Sequence, residues 1–179
     1  ATRAGRAALQ AAGARYQIGE QWPRSAWLAT RSSALLAGTG NEELLVRAIR
    51  LEGAALHAIA GTRSGAARAQ LYRAARTRLT EAAVLAMRAG LPFEAAYAIN
   101  YRGVTRQYEG QAVEAQADYE RALELFRDAG HAPGISLSTD SLALLHHERG
   151  EYRAALARFD EARRILSDYR ASRASAPQR

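Results

Sequence analysis

The stretch LYRAARTRLTEAAVLAMRAG (71–90) is followed, at spacings of 40 residues, by two stretches of the same pattern. These are QAVEAQADYERALELFRDAG (111–130) and EYRAALARFDEARRILSDYR (151–170). In each stretch two alanines flank one large residue at spacings of four and three, which places all three on one face of a helix. A repeat of this length predicts helix pairs that stack into an α-solenoid. The repeated positions are Ala75, Leu79 and Ala82, then Ala115, Tyr119 and Ala122, then Ala155, Phe159 and Ala162.

The rest of the chain carries further helix signals and no sustained alternation of apolar residues that would indicate a sheet. Glycine-rich breaks and prolines at helix starts divide it into seven or eight helices with short connections. The predicted fold class is therefore all-α. The predicted helices span 3–17, about 15 residues from Trp22, 42–60, 66–89, 91–109, 112–128, 132–149 and 152–169.

The last two helix pairs carry a more specific pattern of small and aromatic residues. Glycine and alanine let two backbones approach closely, and an aromatic side chain fills the groove that remains. The pattern resembles the tetratricopeptide repeat family, in the longer form of about 40 residues that bacterial regulators and scaffold adaptors use. The residues that carry it are Gly103, Gly110, Ala115, Tyr119 and Ala122, and then Ala143, Gly150, Tyr152, Ala155, Phe159 and Ala162.

The resemblance implies a right-handed superhelical stack of antiparallel helix pairs. Residues 1–40 are interpreted as an N-terminal helical cap or a divergent repeat, and residues 171–179 as a flexible tail. The helix at 42–60 departs from the 40-residue register, because the turn from Gly61 to Gly65 comes earlier than the periodicity predicts. The repeats are assigned to 41–90, 91–130 and 131–170.

The same resemblance assigns the first helix of each pair to a concave groove. Tyrosines supply contact area and an asparagine can hold a peptide backbone group, so this face predicts binding of a protein or peptide segment. The alternative is that the tyrosines pack between helices. The predicted groove residues are Tyr97, Asn100, Tyr101, Val104, Gln107 and Tyr108 from one helix, and Leu137, Asp140, Leu144, His147 and Glu148 from the next.

All 25 basic residues are arginine, and they concentrate towards the N-terminus. Residues 1–90 carry 13 arginines and five acidic residues, whereas residues 91–170 carry ten arginines and 13 acidic residues. Guanidinium groups suit phosphate and carboxylate, so binding of nucleic acid or an anionic ligand is an alternative function. Because the arginines spread around their helix, a solvated face is favoured. The candidate anion-binding residues are Arg63, Arg68, Arg73 and Arg76.

Several other classes of site are excluded or disfavoured. The chain has no cysteine, which rules out disulfides, thiolate metal sites and cysteine nucleophiles. No apolar run reaches the length of a membrane span, and we expect a cytoplasmic protein. His146 and His147 are neighbours on a helix and point about 100° apart, so no metal site is predicted. We expect a noncatalytic interaction module without a cofactor, with self-association into a homodimer as a further alternative.

Overall fold

The structure is a computed structural model that describes residues 1–19 and 21–175. These residues form eight α-helices joined by short turns, and no strand occurs among them. The predicted all-α solenoid of helix pairs is therefore confirmed. The helices are α1 (Thr2–Gln17), α2 (Trp22–Leu36), α3 (Glu42–Gly61), α4 (Gly65–Arg88), α5 (Pro92–Tyr108), α6 (Ala112–Asp128), α7 (Ala132–Glu148) and α8 (Tyr152–Ala174).

The end of α8 differs from its prediction. The sequence predicts a helix that ends near 169 and a flexible tail from 171, whereas α8 continues to Ala174. Alanine and arginine favour helix strongly, so the polar composition of this segment does not stop the helix. Residues 176–179 of the predicted tail lie outside the described residues.

Four glycines end helices at intervals of 20 residues. Their φ angles lie between 62° and 79°, a left-handed conformation that residues with a side chain adopt only at a cost. After each glycine the next N–H donates to a carbonyl of the preceding helix, as Leu91 N does to Ala86 O at 2.9 Å. This bond satisfies a carbonyl that the helix end leaves open. The four are Gly90, Gly110, Gly130 and Gly150.

The helices form an inner and an outer layer. Each helix packs against the next along the chain, and α1 contacts α3, α3 contacts α5, and α5 contacts α7. Among the described residues, the backbones of the even-numbered helices stay more than 8 Å apart, although a long ion pair of 3.8 Å joins Arg127 of α6 to Glu161 of α8. Helices that reach their second neighbours lie on the inside of a curved stack. The odd-numbered helices therefore line the concave surface.

Glycine lets the two helices of a pair approach closely. A Cβ atom on Gly53 would lie 2.7 Å from Leu79 Cγ, and one on Gly103 would lie 2.7 Å from Tyr119 Cε1. Leu79 and Tyr119 are fully buried, so they fill the space that each glycine leaves. The contacting residues are 26 positions apart in α3–α4 but 16 apart in α5–α6. The first of these pairs thus contains ten additional residues between equivalent contacts.

An ion pair beside each glycine contact joins the two helices with opposite polarity. Glu52 Oε2 lies 2.6 Å from Arg78 Nη2 in α3–α4, and Asp118 Oδ1 lies 2.6 Å from Arg102 Nη2 in α5–α6. Arg106 contacts Asp118 as well, at 2.7 Å. The carboxylates are 9% and 4% exposed, so their guanidinium partners offset the cost of burying them.

The ten additional residues lengthen α3 and α4 at the ends joined by their turn. α3 has 20 residues and α4 has 24, whereas α5 and α6 have 17 each. When α4 is aligned with α6 through Leu79 and Tyr119, the first residue of α6 falls at the position of Tyr72. α4, however, already starts at Gly65. About two turns of α4 therefore extend past the α5–α6 turn. This lengthening explains the irregular register of residues 42–60.

Candidate functional site: the concave surface

The predicted groove residues differ in their access to solvent. Most of those on α5 are half-buried, as expected for side chains that line a surface between inner helices. The half-buried residues are Tyr97, Tyr101, Val104, Gln107, Leu137 and Asp140; the exposed residues are Tyr108, Leu144, His147 and Glu148; Asn100 is buried.

Asn100 connects α5 to α7 and is only 1% exposed. Its Oδ1 accepts a hydrogen bond from Ser138 Oγ at 3.0 Å, and its Nδ2 donates to Ser141 Oγ at 3.5 Å. A buried amide needs such partners, and these come from the following helix pair. The Asn100 side chain therefore ties α5 to α7.

Tyr97 occupies the middle of the inner layer. Its ring stands edge-on to Phe126, with centroids 4.8 Å apart, and the Arg50 guanidinium carbon lies 5.2 Å from its centroid. Burial raises the pKa of Tyr97. Neighbouring helices thus contact the ring from two sides. Because the side chain is only half-buried, part of it also lies at the surface.

Two further tyrosines, Tyr16 and Tyr101, lie on the inner helices α1 and α5. Burial raises the pKa of Tyr16 to about 12, and the nearby Tyr101 adds to this rise while Arg50 opposes it. The Tyr16 hydroxyl therefore stays protonated near neutral pH and can donate a hydrogen bond.

A cavity of about 540 Å³ opens between α1 and α3. Its residues occupy the groove positions of these helices. When α3 is aligned with α5 through Gly53 and Gly103, Arg47 falls at the position of Tyr97 and Arg50 at that of Asn100. Sequence reasoning missed them, because the additional residues of α3–α4 shift the register. The glycine alignment is the signal that could have located them. The polar lining consists of Arg6, Gln10, Gln17, Arg47 and Arg50.

The cavity carries a net positive charge. Glu94, which is 4% exposed, lies 3.6 Å from Arg47 and 3.3 Å from Arg50. Arg47 also contacts Glu43 at 3.4 Å, near the rim. Within residues 1–19 and 21–175, Arg6 has no carboxylate partner. Arg6 and the partly neutralised Arg50 are therefore available to an anionic group.

The C-terminal half of the stack matches a known repeat family. The family model for the tetratricopeptide repeat matches residues 93–168, from α5 into α8. Residues 93–168 are tetratricopeptide repeats. No curated protein matches the chain at a significant level. This match confirms the predicted tetratricopeptide repeat family for these residues, and such repeats generally mediate interactions between proteins.

Tyr108 lies at the C-terminal end of its tetratricopeptide repeat helix. It is 57% exposed, and its ring stands edge-on to His57 with centroids 5.1 Å apart. Tyr72 completes the cluster at 6.3 Å from Tyr108. Burial lowers the pKa of His57 to about 4, so its imidazole is neutral near pH 7. Tyr108 thus belongs to an aromatic cluster with His57 of α3 and Tyr72 of α4.

The arginines proposed to bind anions have two different environments. Arg63, Arg68 and Arg73 are exposed, and the described part of the chain pairs none of them with a carboxylate. Arg76 is half-buried, with Nη1 2.8 Å from Glu109 Oε2 and 3.1 Å from Gln111 Oε1. Arg76 therefore ties α4 to the turn of the first tetratricopeptide repeat.

The adjacent histidines of α7 contact different partners. His146 Nδ1 lies against Glu151, whereas the His147 ring stands edge-on to Tyr152 with centroids 5.5 Å apart. In the described ranges, no three His, Asp or Glu side chains are placed to hold a metal ion. No helix there is long and apolar enough to cross a membrane.

Proposed function

We propose that the concave surface binds an extended segment of a partner protein. The cavity between α1 and α3 carries this proposal, because it occupies the same helix positions as the half-buried tyrosines of α5. Concave sites of several hundred Å³ are where proteins usually take up ligand groups. Four inner helices that lie side by side offer a continuous surface for such a segment.

The charges of the surface favour a particular partner chemistry. Arg6, Arg47 and Arg50 line the cavity, where the buried Glu94 of α5 contacts only Arg47 and Arg50. Guanidinium groups bind carboxylates through paired hydrogen bonds. Asp140 on α7 has no ion-pair partner among the described residues, and desolvation raises its pKa. The segment is therefore proposed to place acidic residues against α1 and α3 and a basic or hydrogen-bond donating group towards α7.

Selection from a random peptide library tests this proposal. Peptides selected on the unmodified protein should be enriched in aspartate and glutamate. Arg6→Glu should weaken their binding roughly tenfold or more, because one attractive charge becomes repulsive. Arg163→Glu is the matched control, since this arginine lies on the outer helix α8 with 81% of its side chain exposed. Peptides without acidic enrichment, or equal losses in both variants, would contradict the proposal.

Self-association is a second candidate function, favoured by the apolar side chains on α8. Tyr152 and Leu156 are 65% and 63% exposed, and the buried residues of α8 are Ala155 and Ala162. A second copy packed on α8 would cover this face. Sedimentation equilibrium should then show a dimer that Leu156→Glu dissociates. A monomer at every concentration would remove this candidate.

A further inference from the structure

A second cavity, of about 280 Å³, lies between the start of α4 and the turn that joins α5 to α6. Arg68 and Tyr72 form one wall, and Tyr108, Glu109 and Gln111 form the other. It shares no lining residue with the cavity between α1 and α3. The additional residues of α3–α4 build this cavity, because they carry the start of α4 past the α5–α6 turn.

The N-terminus of α4 lies in the wall of this cavity and has no cap. Ser64 at the N-cap position makes no side-chain hydrogen bond, and the first turn has no acidic residue. Gly65, which lines the cavity, has a φ of 55°. The first N–H groups of a helix lack intrahelical partners and carry partial positive charge, so they attract an anion.

Arg68 adds a full positive charge to this wall. Its guanidinium carbon lies 5.3 Å from the ring centroid of Tyr72, and no carboxylate of the described residues pairs with it. Glu109 on the opposite wall already pairs with Arg76 at 2.8 Å. The cavity is therefore lined by one cation whose charge is not neutralised.

Tyr72 gives a second, independent indication of a ligand. The side chain is only 2% exposed, and its hydroxyl is buried without a hydrogen-bond partner. A buried hydroxyl without a partner is destabilising, and nearly all such groups in proteins are paired. An acceptor oxygen bound in the adjoining cavity would satisfy it.

We infer that this cavity binds a small organic anion that joins one carboxylate to a flat apolar body. The carboxylate interacts with the N-terminus of α4 and with Arg68, and the flat body lies against the exposed ring of Tyr108. A single negative charge matches the one guanidinium that is not neutralised, while the carboxylate of Glu109 disfavours a dianion. The exposed aromatic ring of Tyr108 favours a ligand with a ring over a bare oxyanion.

Titration of the full chain with benzoate, followed through amide NMR shifts, tests this inference. We expect saturable shifts at residues 65–69 and at Tyr108. Neutral benzamide, which has the same shape, should bind at least roughly tenfold more weakly. Equal binding of benzoate and benzamide, an absence of shifts in this region, or inorganic phosphate that binds as tightly as benzoate would overturn the inference.

Two substitutions and a matched control locate the site. Arg68→Gln should weaken benzoate binding roughly tenfold, and Tyr72→Phe, which removes only the hydroxyl, should weaken it severalfold. Arg73→Gln should leave it unchanged, because this exposed arginine of the same helix does not line the cavity. A folded Arg68→Gln protein that binds benzoate as tightly as the unmodified chain would contradict the site.

Discussion

The α3–α4 and α5–α6 pairs have the same architecture but use different residues to build it. Both pack a glycine against a fully buried large side chain, Gly53 against Leu79 and Gly103 against Tyr119. Both place an ion pair beside that contact, but the carboxylate lies on the inner helix in one pair and on the outer helix in the other. Close packing of the two helices therefore requires a glycine and an ion pair, and either helix can carry the carboxylate.

The two halves also differ in the surfaces that they present. The inner helices α1 and α3 offer arginines around a cavity, whereas α5 and α7 offer tyrosines and a carboxylate. The additional residues of α3–α4 create a second cavity that the regular pairs have no means to form. A difference in helix length thus changes the available binding sites without changing the stacking.

The largest effect should come from Asp118→Arg. This change brings three guanidinium groups together without a carboxylate and should lower the free energy of unfolding by about 4 kcal/mol. Adding Arg102→Glu and Arg106→Leu should recover most of the loss, since the triple variant copies the arrangement of α3–α4. Denaturant unfolding measures both variants, and an absence of recovery would show that the pairs are not equivalent. The residues copied are Glu52, Leu56 and Arg78.

His57 of α3 should make the stability of the protein depend on pH. Its pKa is about 4 in the folded state and about 6.5 when unfolded, so between these values only the unfolded chain takes up the proton. Because of this difference, the free energy of unfolding is highest above pH 6.5 and decreases by about 3 kcal/mol as the pH falls towards 4. His57→Gln, which copies Gln107 at the equivalent position, should flatten this part of the profile. Unfolding midpoints from about pH 7 to pH 4.5 measure the slope, and an unchanged slope would assign it to other groups.

Gly53→Ala and Gly103→Ala should have similar, smaller effects. Each new Cβ would lie 2.7 Å from a buried side chain, an overpacking that costs up to about 3 kcal/mol. Better helix propensity returns about 1 kcal/mol, which leaves a loss of about 1–2 kcal/mol. Gly13→Ala, with no atom within 4 Å, is the control and should stabilise the chain. Thermal unfolding compares the three, and a loss confined to one of the first two would break their equivalence.

The smallest effect should be a gain in stability from Tyr72→Phe. Removal of a buried hydroxyl without a partner should raise the free energy of unfolding by about 1 kcal/mol in the absence of ligand. The effect has no counterpart in α6, whose first residue, Ala112, occupies the equivalent position. Urea unfolding measures the change. A loss of stability would mean that the hydroxyl has a partner in the protein.

Helix positions followed from the sequence because helix ends are decided locally. Asn41 illustrates this: its side chain accepts a hydrogen bond from Leu44 N at 3.3 Å and caps α3. The family resemblance likewise assigned α5 and α7 to the inner layer. These features depend on residues within a few positions of one another, where composition is informative.

The N-terminal part of the site was not predictable in the same way. Arg6 and Arg50 meet across two helices, and the shifted register of α3–α4 hides their equivalence to the groove positions. The burial of Asn100 depends on Ser138 and Ser141, which come from the next helix pair. No local pattern encodes a contact over about one whole repeat.

Photo-crosslinking shows most directly whether a partner segment lies on the concave surface. A benzophenone side chain is placed at Gln10 of α1, at Leu144 of α7 or, as a control, at the exposed Ala117 of the outer helix α6. Each protein is irradiated with an acidic peptide selected on the unmodified chain. We expect adducts from Gln10 and Leu144 and none from Ala117. Adducts from Ala117 with none from the two inner positions would contradict binding on the concave surface.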